Sequence, residues 1–94
     1  MIRVLLPYEE GNEISTPISV LPDFHITFTA LGDIRDTDEL YSWVCHIEKQ
    51  VSNGEWALID DMNPIKNNIT IYGEGTYRVS RIFGKVIVEA AIGD

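Results

Sequence analysis

The sequence predicts an all-β protein, folded as one antiparallel β-sandwich over residues 1–94 with about seven or eight short strands. The first observation is alternation, which is clearest in the segment Phe24–Leu31, where apolar and polar residues take turns. The second is spacing, because short apolar runs are separated by glycine, proline and asparagine. The third is composition: 45% of the residues are hydrophobic, which supports a folded core, and a lone cysteine excludes an intramolecular disulfide.

The N-terminal third predicts three strands. Ile2 to Leu6 forms the first, and Pro7 is expected to end it because proline cannot donate to a β-ladder. The polar segment Tyr8 to Pro17 is interpreted as a loop. Ile18 to Leu21 is a short strand, and Phe24 to Leu31 is the clearest strand of the chain.

The segment from 36 to 51 fits two structures. Apolar residues at helical spacing favour a helix, namely Leu40, Trp43, Val44, Ile47 and Val51. Alternation favours a strand instead, through Tyr41, Trp43, Cys45 and Ile47. We favour the strand, because Asn53-Gly54 is a strong hairpin signal and apolar residues resume directly after it.

The C-terminal third predicts three further strands. Asp60 to Asn68 is a loop, and the strands around Ile69–Tyr72 and Tyr77–Ile82 flank Gly73-Glu74-Gly75. The two glycines give the backbone freedom for a β-hairpin or a β-corner. The last segment, Val86 to Ile92, follows a turn at Gly84-Lys85 and is apolar on both faces. Such a strand is expected either at the centre of a sheet or under a partner chain.

The charge disfavours several classes of partner. The chain carries 15 acidic and 7 basic residues, for a formal net charge of −8. We therefore expect no binding to nucleic acid and none to an anionic membrane surface, since both depend on basic residues. The chain has no apolar run of bilayer length and no signal-peptide pattern, so synthesis in a host cytoplasm is expected.

No catalytic or metal-binding pattern is found, so we expect neither an enzyme nor a cofactor. The soft ligands are His25, Cys45 and His46, and adjacent residues on a strand point to opposite faces, which suits neither zinc nor a Cys–His nucleophile. Four acids lie within residues 33–39, without the spacing of an EF-hand, and are interpreted as a solvated loop.

The aromatic and arginine residues suggest where a protein partner would bind. Most aromatic residues are expected in the core. Tyr72 lies on the polar phase of its strand, and Arg78 and Arg81 follow on the next one. Because tyrosine and arginine are enriched at interfaces, the interface prediction is Tyr72, Arg78 and Arg81.

One segment resembles a known group of proteins. The stretch from Asn67 to Val79, Asn-Asn-Ile-Thr-Ile-Tyr-Gly-Glu-Gly-Thr-Tyr-Arg-Val, resembles small structural proteins of tailed bacteriophages. In that group an Asn-rich loop leads into a strand, then Gly-x-Gly-x-Tyr-Arg, then a valine-rich last strand. Asn53-Gly54-Glu55-Trp56 also resembles their Gly-x-Trp hairpin, so the likeness covers about residues 40–94.

The resemblance implies a non-enzymatic virion accessory protein, such as a capsid decoration protein or a component of the head or tail. It would be a homo-oligomer bound to phage capsid or tail proteins, and its location would be the virion. The acidity and small size keep an alternative open, a small inhibitor of a basic host protein. A third reading is a receptor-binding module at a tail tip.

Overall fold

The computed structural model describes residues 2–32 and 42–94, and over these residues the protein is an all-β, antiparallel sandwich. Nine strands are present in the described part, one or two more than the sequence predicts. Their bounds are β1 Ile2–Glu10, β2 Glu13–Ile14, β3 Ile18–Val20, β4 His25–Gly32, β5 Val44–Gln50, β6 Trp56–Met62, β7 Asn68–Tyr72, β8 Gly75–Phe83 and β9 Lys85–Gly93.

Two sheets form the layers of the sandwich. Sheet A has the strand order β1-β9-β4-β7, and sheet B has the order β2-β8-β5-β6, with β3 also paired to β8. The predicted alternation sets the core: in β4, Ile26, Phe28 and Ala30 point inward while the intervening residues point out. The inner side chains of β5, β8 and β9 complete one hydrophobic cluster.

The last strand lies at the centre of sheet A. β9 pairs with β1 along one edge and with β4 along the other. Val86, Val88 and Ala90 are fully buried on its inner side. Of the two positions that its sequence allows, central in a sheet or covered by a partner chain, the structure has the first.

The first strand is longer than predicted. It continues past Pro7 to Glu10, and a second short strand, Glu13–Ile14, lies inside the segment predicted as loop. The prediction that Pro7 ends the strand is wrong because β1 is an edge strand, where one side of the backbone needs no donor. The proline falls in a register irregularity between Leu6 and Glu9.

The ambiguous middle segment contains a strand where the structure describes it. Val44–Gln50 is β5, and it forms an antiparallel hairpin with β6. The predicted turn is confirmed: Gly54 has a φ of 90°, and its N–H donates to the carbonyl of Val51 at 2.9 Å. Residues 33–41, which include the acidic loop and the first part of this segment, lie outside the described residues.

The glycines near the C-terminus carry the chain from one sheet to the other. β7 belongs to sheet A and β8 to sheet B, so Gly73-Glu74-Gly75 forms a corner between sheets and not a hairpin. Gly84 connects β8 back to β9 in sheet A with a φ of 89°. The described residues include no long apolar helix of the kind that crosses a bilayer.

Candidate interaction surface

The outer side of sheet A forms a broad surface, which we call the sheet A face. The strand registers define it, because alternate residues of β1, β4, β7 and β9 point away from the core. Its members are Ile2, Val4, Glu10, His25, Thr27, Thr29, Leu31, Asn68, Thr70, Tyr72, Lys85, Ile87, Glu89 and Ala91.

The apolar part of this face is exposed. The exposed fractions are 71% for Ile2, 52% for Val4 and 58% for Leu31. β-Branched and aliphatic side chains grouped on one sheet face are unusual on a monomer, where large apolar patches generally mark binding sites.

Hydroxyl and amide groups form the other part. The Thr27 and Thr70 hydroxyl oxygens are 2.8 Å apart across the β4–β7 pair, and the side-chain amide of Asn68 donates to the Thr29 hydroxyl at 3.3 Å. These bonds fix the rotamers of a flat, uncharged strip beside the apolar one. A face with ordered side chains loses less conformational entropy when a partner docks on it.

Lys85 lies opposite Glu10 at one end of the sheet A face. Away from that end, Glu89 is the one charged residue of the face. The register places it between Val4 on β1 and Thr29 on β4. A shallow pocket of about 90 Å³ lies beside it, lined by Ile2, Thr27, Thr29, Glu89, Ala90 and Ala91. The face is therefore nearly neutral on a chain with a net charge of −8.

Tyr72 marks one end of the face. Its side chain is 79% exposed, and its ring lies 5.3 Å from that of His25 at an angle of 43°. The two residues are opposite each other in the β4–β7 register. This member of the predicted interface is thus on the surface, as expected.

Arg78 lies on the outer side of the other sheet. Its guanidinium group sits 4.2 Å from the centre of the Trp56 ring and donates from Nε to Oε1 of Glu48 at 2.8 Å. Trp56 is half-buried beneath this pair and lies outside the hydrophobic core. β6 is an edge strand, and the outward phase of its first residue puts the indole under Arg78 instead of inside the sandwich.

Arg81 is in the interior, with an exposed fraction of 1%, so the structure removes it from the predicted surface. Its donors bind the carbonyl oxygens of Gly11, Pro7 and Val86 and the carboxylate of Glu13. An arginine can occupy such a place because its fork of donors satisfies several fixed acceptors at once.

The three predicted interface residues therefore lie in three separate places and do not form one site. Sequence reasoning missed Ile2, Val4, Glu89 and Ala91 of the sheet A face. The apolar residues on both phases of the last strand were a signal for this face, but the pairing of β1 beside β9 could not be derived from composition or periodicity.

The thiol and imidazole groups do not form a reactive site in the described residues. Cys45 is buried, and burial raises its pKa to about 12, only partly opposed by the positive charge of Arg81. His46, its neighbour, points to the outer side of sheet B as the alternation predicts. Within residues 2–32 and 42–94, no three His, Cys, Asp or Glu side chains are grouped as a metal site would need.

Comparison with known proteins gives no relative: no family model, no curated protein and no solved structure matches this chain.

Proposed function

We propose that this protein is a non-enzymatic virion structural protein, a capsid decoration or stabilising protein that binds the phage shell as an oligomer through the sheet A face. The observation that carries the proposal is the exposed, apolar and nearly neutral character of that face on a strongly acidic chain. The centres of protein interfaces are depleted of charge in the same way.

The chemistry of the face defines the partner. An apolar and hydroxyl-lined surface fits the face of another β-rich or helical protein, and Glu89 at its centre fits one basic side chain. The pocket beside Glu89 has aliphatic walls from Ile2 and Ala91 and hydroxyl groups from Thr27 and Thr29. The stem of a lysine or arginine would pack on those walls while its head pairs with the carboxylate.

The rest of the fold suits a protein that stabilises a shell. The outer face of a two-layer sandwich is held by a packed core, so a partner would bind a preformed surface. Each copy would contribute a modest contact, and many copies on a repetitive lattice would stabilise the shell through avidity. The resemblance of residues 67–79 to phage structural proteins points in the same direction.

The deciding experiment is quantitative mass spectrometry of density-purified particles from the source culture. We expect a copy number near that of the major shell protein, or near one-third of it. A few copies per particle would instead indicate a component of the neck or tail, which includes the receptor-binding module at a tail tip. Complete absence, with abundant protein in infected cells, would refute the proposal and favour the acidic inhibitor.

A pair of variants tests the surface itself. Thr29→Lys would fill the pocket and pair with Glu89, taking the place of the partner's cation. Ser19→Lys makes the same charge change at an exposed hydroxyl residue on the outer side of sheet B. When added back to particles that lack the protein, Thr29→Lys should lose at least tenfold in binding and Ser19→Lys should bind as the unmodified protein does. Equal binding by both would exclude the sheet A face.

A further inference from the structure

We infer that β7 is a self-pairing edge: two copies of this chain join antiparallel through Asn68–Tyr72 and extend sheet A across a two-fold axis. The inference deepens the oligomeric part of the proposed function and rests on it for its biological meaning. The observations that carry it are independent of the sheet A face.

The four edges of the sandwich differ in how well they are protected. β1 contains Pro7 and two register irregularities, and it carries Glu9 and Glu10. β6 carries Asp60 and Asp61 and a register irregularity against β5. Prolines, bulges and charges are the devices that prevent sheets from pairing edge to edge.

The remaining edges are β2 with β3, and β7. β2 and β3 are only two and three residues long, and the connection between them contains Pro17. β7 has five residues, no proline, no charge and no irregularity in its register with β4. It is therefore the one edge in the described part of the chain without a protecting device.

The backbone groups of β7 divide cleanly between β4 and the open edge. The Ala30 N–H donates to the carbonyl of Asn67 at 2.9 Å, which makes these two residues a hydrogen-bonded pair. Because such pairs recur at every second residue of an antiparallel ladder, Ile69 and Ile71 direct their backbone groups to β4. Asn68, Thr70 and Tyr72 then direct their N–H and C=O groups to the open edge.

The sequence of β7 is nearly symmetric about Thr70, which makes the strand complementary to itself. A two-fold axis at Thr70 sets Asn68 opposite Tyr72 of the second copy, and Thr70 opposite Thr70. These are the residues whose backbone groups are free for pairing, so every outward N–H and C=O of the strand finds a partner. On the inner side, Ile69 meets Ile71 of the other copy, and the two hydrophobic cores become continuous.

The charges just outside the strands are also complementary. The same register, continued beyond β7, sets Lys66 of one copy opposite Glu74 of the other. Lys66 pairs with Asp60 of its own chain at 2.6 Å, and because its side chain is half exposed, its ammonium group can bind a second carboxylate as well. Glu74 has no ion pair among the described residues. A second copy is therefore the occupant that fits this edge, in an isologous dimer.

The dimer should be weak alone, because a pairing of five-residue strands buries less than the roughly 1,000 Å² of a stable interface. Sedimentation of the purified protein over a concentration series to about 1 mM tests the inference together with hydrogen exchange. With rising concentration, the amides of Asn68, Thr70 and Tyr72 should gain protection, while those of Ile69 and Ile71 are protected throughout. A protein that stays monomeric, or protection without this alternation, would overturn the inference.

Two variants separate edge pairing from contact through the sheet A face. Thr70→Lys sets two lysines against each other at the two-fold axis and should abolish the dimer. Val4→Lys changes the same face on β1, at the opposite edge of sheet A, and should leave the dimer intact. Loss of the dimer in Val4→Lys, with retention in Thr70→Lys, would instead assign self-association to the face. A dimer that forms in solution while particles lack the protein would leave this inference standing and refute the proposed function.

Discussion

Arg81 joins the two layers of the sandwich from inside. It extends from β8 in sheet B and binds carbonyl oxygens of Pro7 on β1 and Val86 on β9, both in sheet A, at 2.9 and 2.8 Å. Its Nη2 also donates to Glu13 at 3.0 Å. The buried charge is thus balanced by one carboxylate and by backbone dipoles. The Arg81 side chain stabilises the fold because it donates to acceptors that would otherwise be buried without donors.

Removing this side chain should destabilise the fold strongly. Arg81→Met leaves buried carbonyl groups and Glu13 without their donors, so the free energy of unfolding should fall by about 3–5 kcal/mol. Arg78→Met is the matched control, since Arg78 is part-exposed and its ion pair with Glu48 is worth about 1 kcal/mol or less. Urea denaturation of both variants measures the difference. Similar losses in the two would show that Arg81 is not the tie between the sheets.

The buried thiol of Cys45 gives a pH-dependent prediction. Its pKa is raised to about 12 by burial, whereas in the unfolded chain the thiol has an ordinary pKa. Above that ordinary pKa the unfolded state loses its proton first, so the folded state is progressively destabilised as the pH rises toward 12. Between pH 8 and 11 the melting temperature should therefore decrease more steeply with pH for the unmodified protein than for Cys45→Ala. Parallel curves would contradict the burial of this thiol.

The connections between strands depend on two glycines with nearly equal backbone angles. Gly54 has a φ of 90° and open space where a Cβ would lie. Gly84 has a φ of 89°, but a Cβ there would lie 2.5 Å from the Ser42 carbonyl oxygen and 2.4 Å from the Cβ of Trp43. The first glycine is needed for backbone conformation alone. The second is needed for backbone conformation and because the segment that leads into β5 passes close to it.

This contrast predicts unequal effects of the same substitution. Gly54→Ala should cost about 1 kcal/mol, the strain of a left-handed conformation in a residue with a Cβ. Gly84→Ala adds a collision with backbone and should cost clearly more. The difference in melting temperature between the two variants isolates the collision. If Gly84→Ala is no worse than Gly54→Ala, then Gly84 does not lie as close to Ser42 and Trp43 as described.

How much the sequence predicts differs from one strand to another. Alternation located β4, because its two faces lie in different environments, and the Asn53-Gly54 turn located the β5–β6 hairpin, for which periodicity left a helix open. The same alternation could not show that Gly73-Glu74-Gly75 leads to the other sheet, since a hairpin and a corner need similar glycines. The prediction that Pro7 ends the first strand failed for a related reason. A proline is excluded from a central strand but tolerated in an edge strand, and which strands are edges depends on pairing between residues far apart in the sequence.

Charge is unevenly distributed over the whole molecule, which affects its self-association. Two copies that approach each other carry −8 apiece, yet β7 itself is uncharged. Long-range repulsion between the two negatively charged chains therefore opposes dimer formation, while the contact between the two β7 strands adds no repulsion. The candidate surface was less predictable from the sequence than the fold was. The surface depends on which residues the strand pairing brings to one face, and composition does not reveal that pairing.

Added salt should accordingly strengthen the dimer. At 0.3 M salt the screening length is well under 10 Å, so repulsion between the two chains is largely removed. Sedimentation equilibrium at low salt and at 0.3 M NaCl should show a tighter dimer at the higher salt concentration. Thr70→Lys should be monomeric under both conditions. A dimer that weakens with salt would mean that the Lys66–Glu74 pairs dominate over the general repulsion.

The central position of β9 has a consequence for synthesis. β9 is the strand that joins β1 to β4 in sheet A. β1 therefore has no pairing partner in its sheet until β9 has left the ribosome. The nascent chain must therefore carry its earliest strand unpaired while the rest is translated, exposed to chaperones and proteases. Folding is then a late event that follows translation of Val86 to Gly93. A chain that stops at Gly84 should be degraded by cellular proteases instead of accumulating in a partly folded form.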